Sequence, residues 1–220
     1  WPLGALPRRV VAATLAVEDR RFNRHPGVDP AAIARAILQN ARTGRRLSGA
    51  STLAMQVARM HSPGPRRYYR KATEALTALF LTWRYGREEV LRHYLRIVPY
   101  GNRIHGVAYA ARRYFDKPVE DLSWAEIAFL AAIPQAPARM NPFYVLGHQA
   151  ATQRGKRILA RLLATHQLSN EEYELACNQI REIRIPDWGE RPLEGLHAIL
   201  RLGKILNAPE SRKRLNDRPI

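Results

Sequence analysis

Apolar residues recur at helical spacing along nearly the whole chain, whereas the apolar/polar alternation of a half-buried strand is weak everywhere, with residues 181–185 the best short candidate. That pattern restricts the chain to an all-α or nearly all-α fold. Pro7 can open a first helix in which Val10, Val11, Thr14, Leu15 and Val17 fall at helical spacing and bring Glu18 to the C-terminal end. Asp29 followed by Pro30 caps a second helix with Ile33 and Ile37 on one face. Further faces follow at Leu53, Val57 and Met60, at Leu76, Leu79, Phe80 and Trp83, at Leu91, Tyr94, Leu95 and Val98, and at Val107, Ala110, Ala111 and Tyr114. Two capping boxes, Ser123 with Glu126 and Ser169 with Glu172, mark helix starts, because hydroxyl and carboxylate satisfy orphan backbone donors reciprocally.

Breaks are expected at residues 44–49, 62–70, 100–106 and 134–142, and a Pro/Gly/charged stretch at 186–192 sets off a final amphipathic segment, 193–206. The 220 residues suffice for one large domain, with two lobes at most, that buries about 70% of the surface its unfolded form exposes. Lys and Arg outnumber Asp and Glu by 36 to 19, leaving a formal charge of +17. Such a surface attracts polyanions or anionic lipid. The charge is scattered rather than gathered in one basic helix or arm, which argues against nucleic acid. Cys177 has no second cysteine to pair with and reads as a small buried hydrophobe on a helical face. No run of about 18 apolar residues is present. The chain opens at Trp1, so it reads as a piece of something longer whose membrane anchor would lie outside these residues.

Glu18 stands among cations in Glu18-Asp19-Arg20-Arg21-Phe22-Asn23-Arg24-His25. At a helix C-terminus a carboxylate meets the negative end of the dipole and accepts a proton more readily than a surface Glu. An ion pair with Arg20, Arg21 or Arg24 is the plainer use of the same group. His25 to Asp29 reads as a turn, with His25 bonding backbone groups and Asp29 capping the next helix. Residues 48–56 place small residues, hydroxyls and an amide at a helix start, a cradle for phosphate oxygens, although Ser51 or Thr52 also reads as a simple N-cap. Arg59, Arg66, Arg67, Arg70 and Lys71 add a cationic cluster. Glu74, one turn after Arg70, is spaced for an i to i+4 salt bridge.

Together these residues form a pattern. Glu18-Asp19-x-x-Phe22-x-x-His25-x-Gly27-x-Asp29, Gly49-Ala50-Ser51-Thr52-x-x-x-Gln56 and Arg70-Lys71-x-x-Glu74, in that order, resemble the first three signature motifs of glycosyltransferase family 51, the peptidoglycan glycosyltransferase domains of class A penicillin-binding proteins. Tyr94-Leu95-x-x-x-Pro99-Tyr100-Gly101, with Gly106-Val107 and Ala110-Ala111-x-x-Tyr114-Phe115, resembles the fourth motif. Residues 122–142 resemble the fifth, and Arg154 with Ile158-Leu159 is similar to the segment that follows. The wording of the second motif is closest to the type 1C branch.

The resemblance implies a lysozyme-like, two-lobed helical domain, with residues 1–177 the glycosyltransferase domain and 178–220 a helix and linker towards a transpeptidase. It implies that Glu18 is the general base for the GlcNAc 4-hydroxyl of an incoming lipid II, whose oxygen attacks C1 of the MurNAc on the growing strand, inverting that centre and releasing undecaprenyl diphosphate. Arg59, Arg70 and Lys71, with Ser51, Thr52 and Gln56, would hold the donor diphosphate, and Mg²⁺ can accompany it. Glu74 would orient those groups. Asp19, Phe22, His25 and either Asn102 or Arg103 complete the implied substrate site. Implied surroundings are the outer face of the cytoplasmic membrane, lipid II, the lipid-linked glycan and other cell-wall synthesis proteins.

Departures from the family pattern are Met55 where a second Gln is common and Arg96 where an Asn commonly follows Tyr-Leu. Two other readings use the same residues: a lysozyme-like peptidoglycan hydrolase, and an inactive module that binds lipid II. A glycosidase expels a sugar alcohol and needs a general acid, whereas diphosphate needs mainly charge neutralisation.

Overall fold

The computed structural model describes residues 5–43, 50–62, 64 and 68–186. The expected break at 44–49 with Ser48 and Gly49, the cations Arg66 and Arg67, and the amphipathic segment 193–206 lie outside the described residues. A first compact unit ends at Ile185. Eight α-helices are described: α1 Arg8–Glu18, α2 Pro30–Thr43, α3 Leu53–His61, α4 Tyr68–Ile97, α5 Val107–Phe115, α6 Trp124–Ala132, α7 Val145–Ala164 and α8 Asn170–Glu182. Short 3₁₀ turns occupy Phe22–Arg24, Val119–Asp121 and Ile133–Gln135. The mainly helical expectation holds, with one isolated bridge, Pro99 to His105, as the sole β-type pairing among the described residues.

The core is built around α6. Ala125, Ile127, Ala128, Phe129, Leu130 and Ala132 are all buried, the signature of a helix with no polar face to give to solvent. Its start is the expected capping box: Ser123 Oγ accepts from Glu126 N–H at 3.3 Å and Glu126 Oε2 accepts from Ser123 N–H at 2.8 Å. Helices α1, α7 and α8 pack on it. A Cβ on Gly155 of α7 would meet Ile180 Cδ1 of α8 at 2.5 Å and the Ala128 carbonyl of α6 at 3.3 Å. Glycine here lets three helices close on one point. Each large side chain so buried contributes about 1.5–3 kcal/mol.

Helix α4 is two helices joined across a kink at Gly86, whose φ of 79° and ψ of 162° no helical residue adopts. After the break, Val90, Leu91, Tyr94 and Leu95 join the core, and α3 packs on α4 through Leu53, Ala54, Val57 and Ala58. Before it, the expected apolar face turns outward: Leu76, Phe80 and Trp83 are 67%, 55% and 79% exposed. Ile37 of α2 is exposed as well.

Three smaller expectations change. Helix resumes at Tyr68, so the break at 62–70 is shorter than expected. Residues 181–185 form no strand: α8 runs on to Glu182, and Ile183 and Ile185 pack against the core, which satisfies their apolar bulk without a pairing partner. Cys177 is half-buried, because α8 covers the core with one face and its solvent side begins beside this residue.

His61 at the end of α3 meets His93 of α4. Their rings are 7° from parallel with centres 5.0 Å apart, and the Nε2 atoms are 2.7 Å apart. At that centre separation the nitrogens can come no closer, so the rings meet edge to edge in one plane along a linear N–H···N bond. One proton serves both. Burial, then His61 and Arg96, hold His93 below its ordinary value of 6.5, with Glu89 opposing. A folded-state value below the unfolded one gives stability that is complete above the unfolded value and is lost as pH falls below it. Between about pH 7.5 and about pH 5 the melting temperature should therefore fall more in the wild type than in His93→Gln. Parallel melting curves for the two would refute the pairing.

Candidate active site

Helix α1 stops at Glu18 because Asp19 leaves helical geometry, at φ −155°, while its N–H still bonds Leu15 O. The Asp19 side chain turns into the protein and is 7% exposed. Its Oδ1 accepts from His25 Nε2 at 2.9 Å and its Oδ2 from the backbone N–H of Leu53, the first residue of α3, at 3.0 Å. His25 Nδ1 accepts from Gly27 N–H at 3.2 Å, so the ring proton sits on Nε2 and is donated to Asp19. Phe22 packs edge-on against that ring at 6.4 Å. Gly27, at φ 114°, lies so close to α4 that a Cβ would meet the Ala78 carbonyl at 2.6 Å. Thr52 closes the unit: its hydroxyl donates to Gly27 O and accepts from Met55 N–H as the N-cap of α3. Asp29 caps α2 through Ala32 N–H at 3.0 Å and takes Arg21 Nε at 3.3 Å.

This buried knot ties the end of α1 to the start of α3 and leaves Glu18 at the surface of a cleft of about 440 Å³. Val17, Glu18, Asp19, Arg20, Arg21 and Asp29 line one side, Ala32, Arg35 and Gln39 of α2 another, and Ala50, Ser51 and Thr52 a third. Glu18 Oε2 accepts from Gln56 Nε2 at 2.9 Å, whereas its Oε1 is buried without a hydrogen-bond partner. The carboxylate is thus anchored through one oxygen, while the other has no hydrogen-bond partner. Tyr94 and Tyr100 lie within electrostatic reach of it. Burial first, and the Glu18 charge second, raise both phenols, so they stay neutral.

The residues singled out from sequence therefore divide. Glu18, Asp19, Ser51 and Thr52 share the cleft wall, and Gln56 stands directly behind Glu18. Phe22, His25 and Asp19 support the wall from inside, and the Thr52 hydroxyl is spent on Gly27 and Met55. Arg70 binds the Ser62 carbonyl at 2.8 Å, and neither the Arg70–Glu74 nor the Lys71–Glu74 ion pair forms among the described residues. Arg59, Arg70, Lys71 and Glu74 do not line this cleft. Asn102 exchanges amide bonds with Asn141, 2.8 Å each way, and also reaches the Tyr114 hydroxyl, locking the 100–106 turn. Arg103 next to it is exposed, at φ 58°.

Arg35 and Gln39 escaped the sequence reading, although their i to i+4 spacing on the polar face of a capped helix was a usable signal. Tyr94 and Tyr100, which the sequence sets in the fourth motif, and Arg154, set in the segment after the fifth, come within electrostatic reach of Glu18 from distant parts of the chain. Among the described residues no group of three or more His, Cys, Asp or Glu side chains is placed to hold a metal. The oxygen ligands that Mg²⁺ prefers would have to come largely from a phosphate substrate and water.

Residues 1–163 match the family model described as Transglycosylase. The chain is 39% identical over 175 residues to penicillin-binding protein 1A of Aquifex aeolicus, covering 79% of this chain and 24% of that protein. It is 42% identical over 134 residues to penicillin-binding protein 1C of Escherichia coli, covering 61% and 17%. A Cupriavidus necator protein that carries the transglycosylase name is 37% identical over 184 residues, covering 83% of this chain and 78% of its own length. The chain spans about a quarter or less of the two penicillin-binding proteins.

Proposed function

Because the chain belongs to the transglycosylase family, we propose that it is a peptidoglycan glycosyltransferase that polymerises lipid II with inversion at MurNAc C1 and release of undecaprenyl diphosphate. The observation that carries this reading is Glu18: one oxygen anchored by Gln56, the other without a partner, on the wall of a cleft that also presents Arg20, Arg21 and Arg35. A carboxylate held this way removes a proton from a sugar hydroxyl. The guanidinium groups attract the diphosphate-bearing substrates. Arg59, Arg70 and Lys71 take the leaving diphosphate, where charge neutralisation replaces a proton donor. Mg²⁺, carried on diphosphate oxygens, supplies further neutralising charge.

Lipid II is an amphiphile, and the outer surface of the first half of α4 suits one. Leu76, Phe80 and Trp83 stand on one exposed face of a strongly basic chain, a combination that seats a protein on an anionic bilayer. No helix among the described residues is long and apolar enough to cross a membrane. We place the reaction at the outer face of the cytoplasmic membrane, where such a substrate meets a growing strand.

Labelled lipid II, resolved on gels with and without moenomycin, an inhibitor of this family, tests the proposal. A ladder of glycan products that moenomycin abolishes is the expected result. Soluble muropeptides released from finished peptidoglycan, with no polymer formed, would replace it with the hydrolase reading. Binding without turnover would replace it with an inactive module.

A further inference from the structure

We propose that His61 and His93 form a two-histidine clip for a divalent transition-metal ion of the zinc class, which staples the end of α3 to α4. The inference does not rest on the glycosyltransferase reading. His61 lies five residues after Gln56, so it leaves α3 on a different side from the one that reaches Glu18.

The two rings come from different elements, His61 from the last residue of α3 and His93 from α4. Their Nε2 atoms converge to 2.7 Å, and their ring centres are 5.0 Å apart. Zinc takes an imidazole nitrogen at about 2.0–2.1 Å, so two rings sharing one tetrahedral ion have centres about 5 Å apart. The centres therefore already stand at the spacing an ion requires. Only the nitrogens must part, to about 3.3 Å, as the rings swing off the line that joins them. The ring that donates in the paired state passes its Nε2 proton to Nδ1 through water, and both Nε2 lone pairs then face one ion.

His61 is exposed and His93 half-buried, so an ion can reach both from solvent. Beside them lies a cavity of about 350 Å³, with Glu89 on its wall and Val57, Leu81 and Val90 among its apolar lining. Water from that side completes the coordination, since among the described residues no third His, Cys, Asp or Glu is placed to ligate.

The local charge admits a cation although the chain as a whole is basic. On α4, Arg92 pairs with Glu88 at 2.9 Å and with Glu89 at 3.1 Å, and Arg96 lies 3.9 Å from Glu89. Two carboxylates thus offset two guanidinium groups. His61 closes α3, and the last carbonyls of a helix form the negative end of its dipole. That end already draws Arg70 to the Ser62 carbonyl at 2.8 Å. Nitrogen donors select the metal: imidazole suits Zn²⁺, Ni²⁺ and Cu²⁺, whereas Mg²⁺ and Ca²⁺ take oxygen.

The test titrates Zn²⁺ into the full-length, tag-free protein and into its His61→Gln and His93→Gln variants, following the heat of binding and the thermal melt. Wild type should show a one-ion event, and at ten times the half-saturating concentration this domain should melt about 3–6 °C higher. Loss of an outer partner of a ligand already weakens a site about 10–100-fold, so either substitution should raise the half-saturating concentration at least about tenfold. EDTA should reverse the shift, and Mg²⁺ should produce none. Nitrogen-15 spectra of the wild type need no variant: Zn²⁺ should move Nε2 of His61 and His93 together, ahead of the chain's other histidines. Equal affinity in all three proteins, no binding in wild type, or unmoved His61 and His93 signals at saturation would each overturn the proposal. Glycan synthesis enters neither readout, so the clip and the reading of Glu18 fail separately.

Discussion

Glu18→Gln should reduce lipid II polymerisation by about a hundred- to ten-thousandfold, the usual worth of a positioned general base, while the protein folds as before. Glutamine is nearly isosteric, and its side-chain oxygen can still accept from Gln56 Nε2, so the contact at 2.9 Å survives the change. What is lost is the capacity to take a proton from the acceptor hydroxyl as its oxygen bonds to C1. That deficit belongs to the transition state, so kcat should fall and KM should change little. The thermal melt should coincide with wild type to within about 1 kcal/mol, since few interactions are removed. Wild-type rates in this variant, with intact substrate binding, would remove Glu18 from the chemistry.

Asp19→Ala should destabilise the fold by about 2–6 kcal/mol, a large share of the stability of a domain this size. The carboxylate accepts from two buried donors, His25 Nε2–H and Leu53 N–H, and each costs about 1–3 kcal/mol when stripped of its acceptor without access to water. A denaturant melt should show a lower midpoint with an unchanged slope. Activity measured well below that midpoint should also fall, because the same bonds set the end of α1 on which Glu18 stands. A midpoint within about 0.5 kcal/mol of wild type would mean that water or neighbouring groups replace the lost acceptor.

Much of the helical framework was legible before any coordinate was known. The Asp29 cap and the Ser123 and Ser169 boxes act through bonds to neighbours three residues away, and Pro7 acts through its own fixed φ, so spacing alone reveals them. The destination of an apolar face is different. Leu76, Phe80 and Trp83 have helical period, but period says nothing about what the face meets, and here it meets solvent. In the site, Glu18 was legible through its motif, while the employment of its neighbours was not. Thr52 could cap or cradle, and only the fold, by bringing Gly27 O to its hydroxyl, turns it inward. Gln56, expected at the diphosphate, also donates to Glu18, a bond that spacing alone does not reveal. Asn102 is claimed by Asn141, a partner far along the chain that no local window contains.

The break at Gly86 divides more than the geometry of α4. A continuous helix frays only from its ends, but two hydrogen-bonded ladders meeting at a non-helical residue open separately. The ladder after Gly86 is clamped by Val90, Leu91, Tyr94 and Leu95, so its amides exchange with solvent only when the core itself opens. The ladder before it, with Leu76, Phe80 and Trp83 outside, is held by fewer buried contacts and opens at lower cost. Slow-exchanging and fast-exchanging amides will thus lie on one helix, and the frontier between them is a single glycine around which a Cβ would find open space.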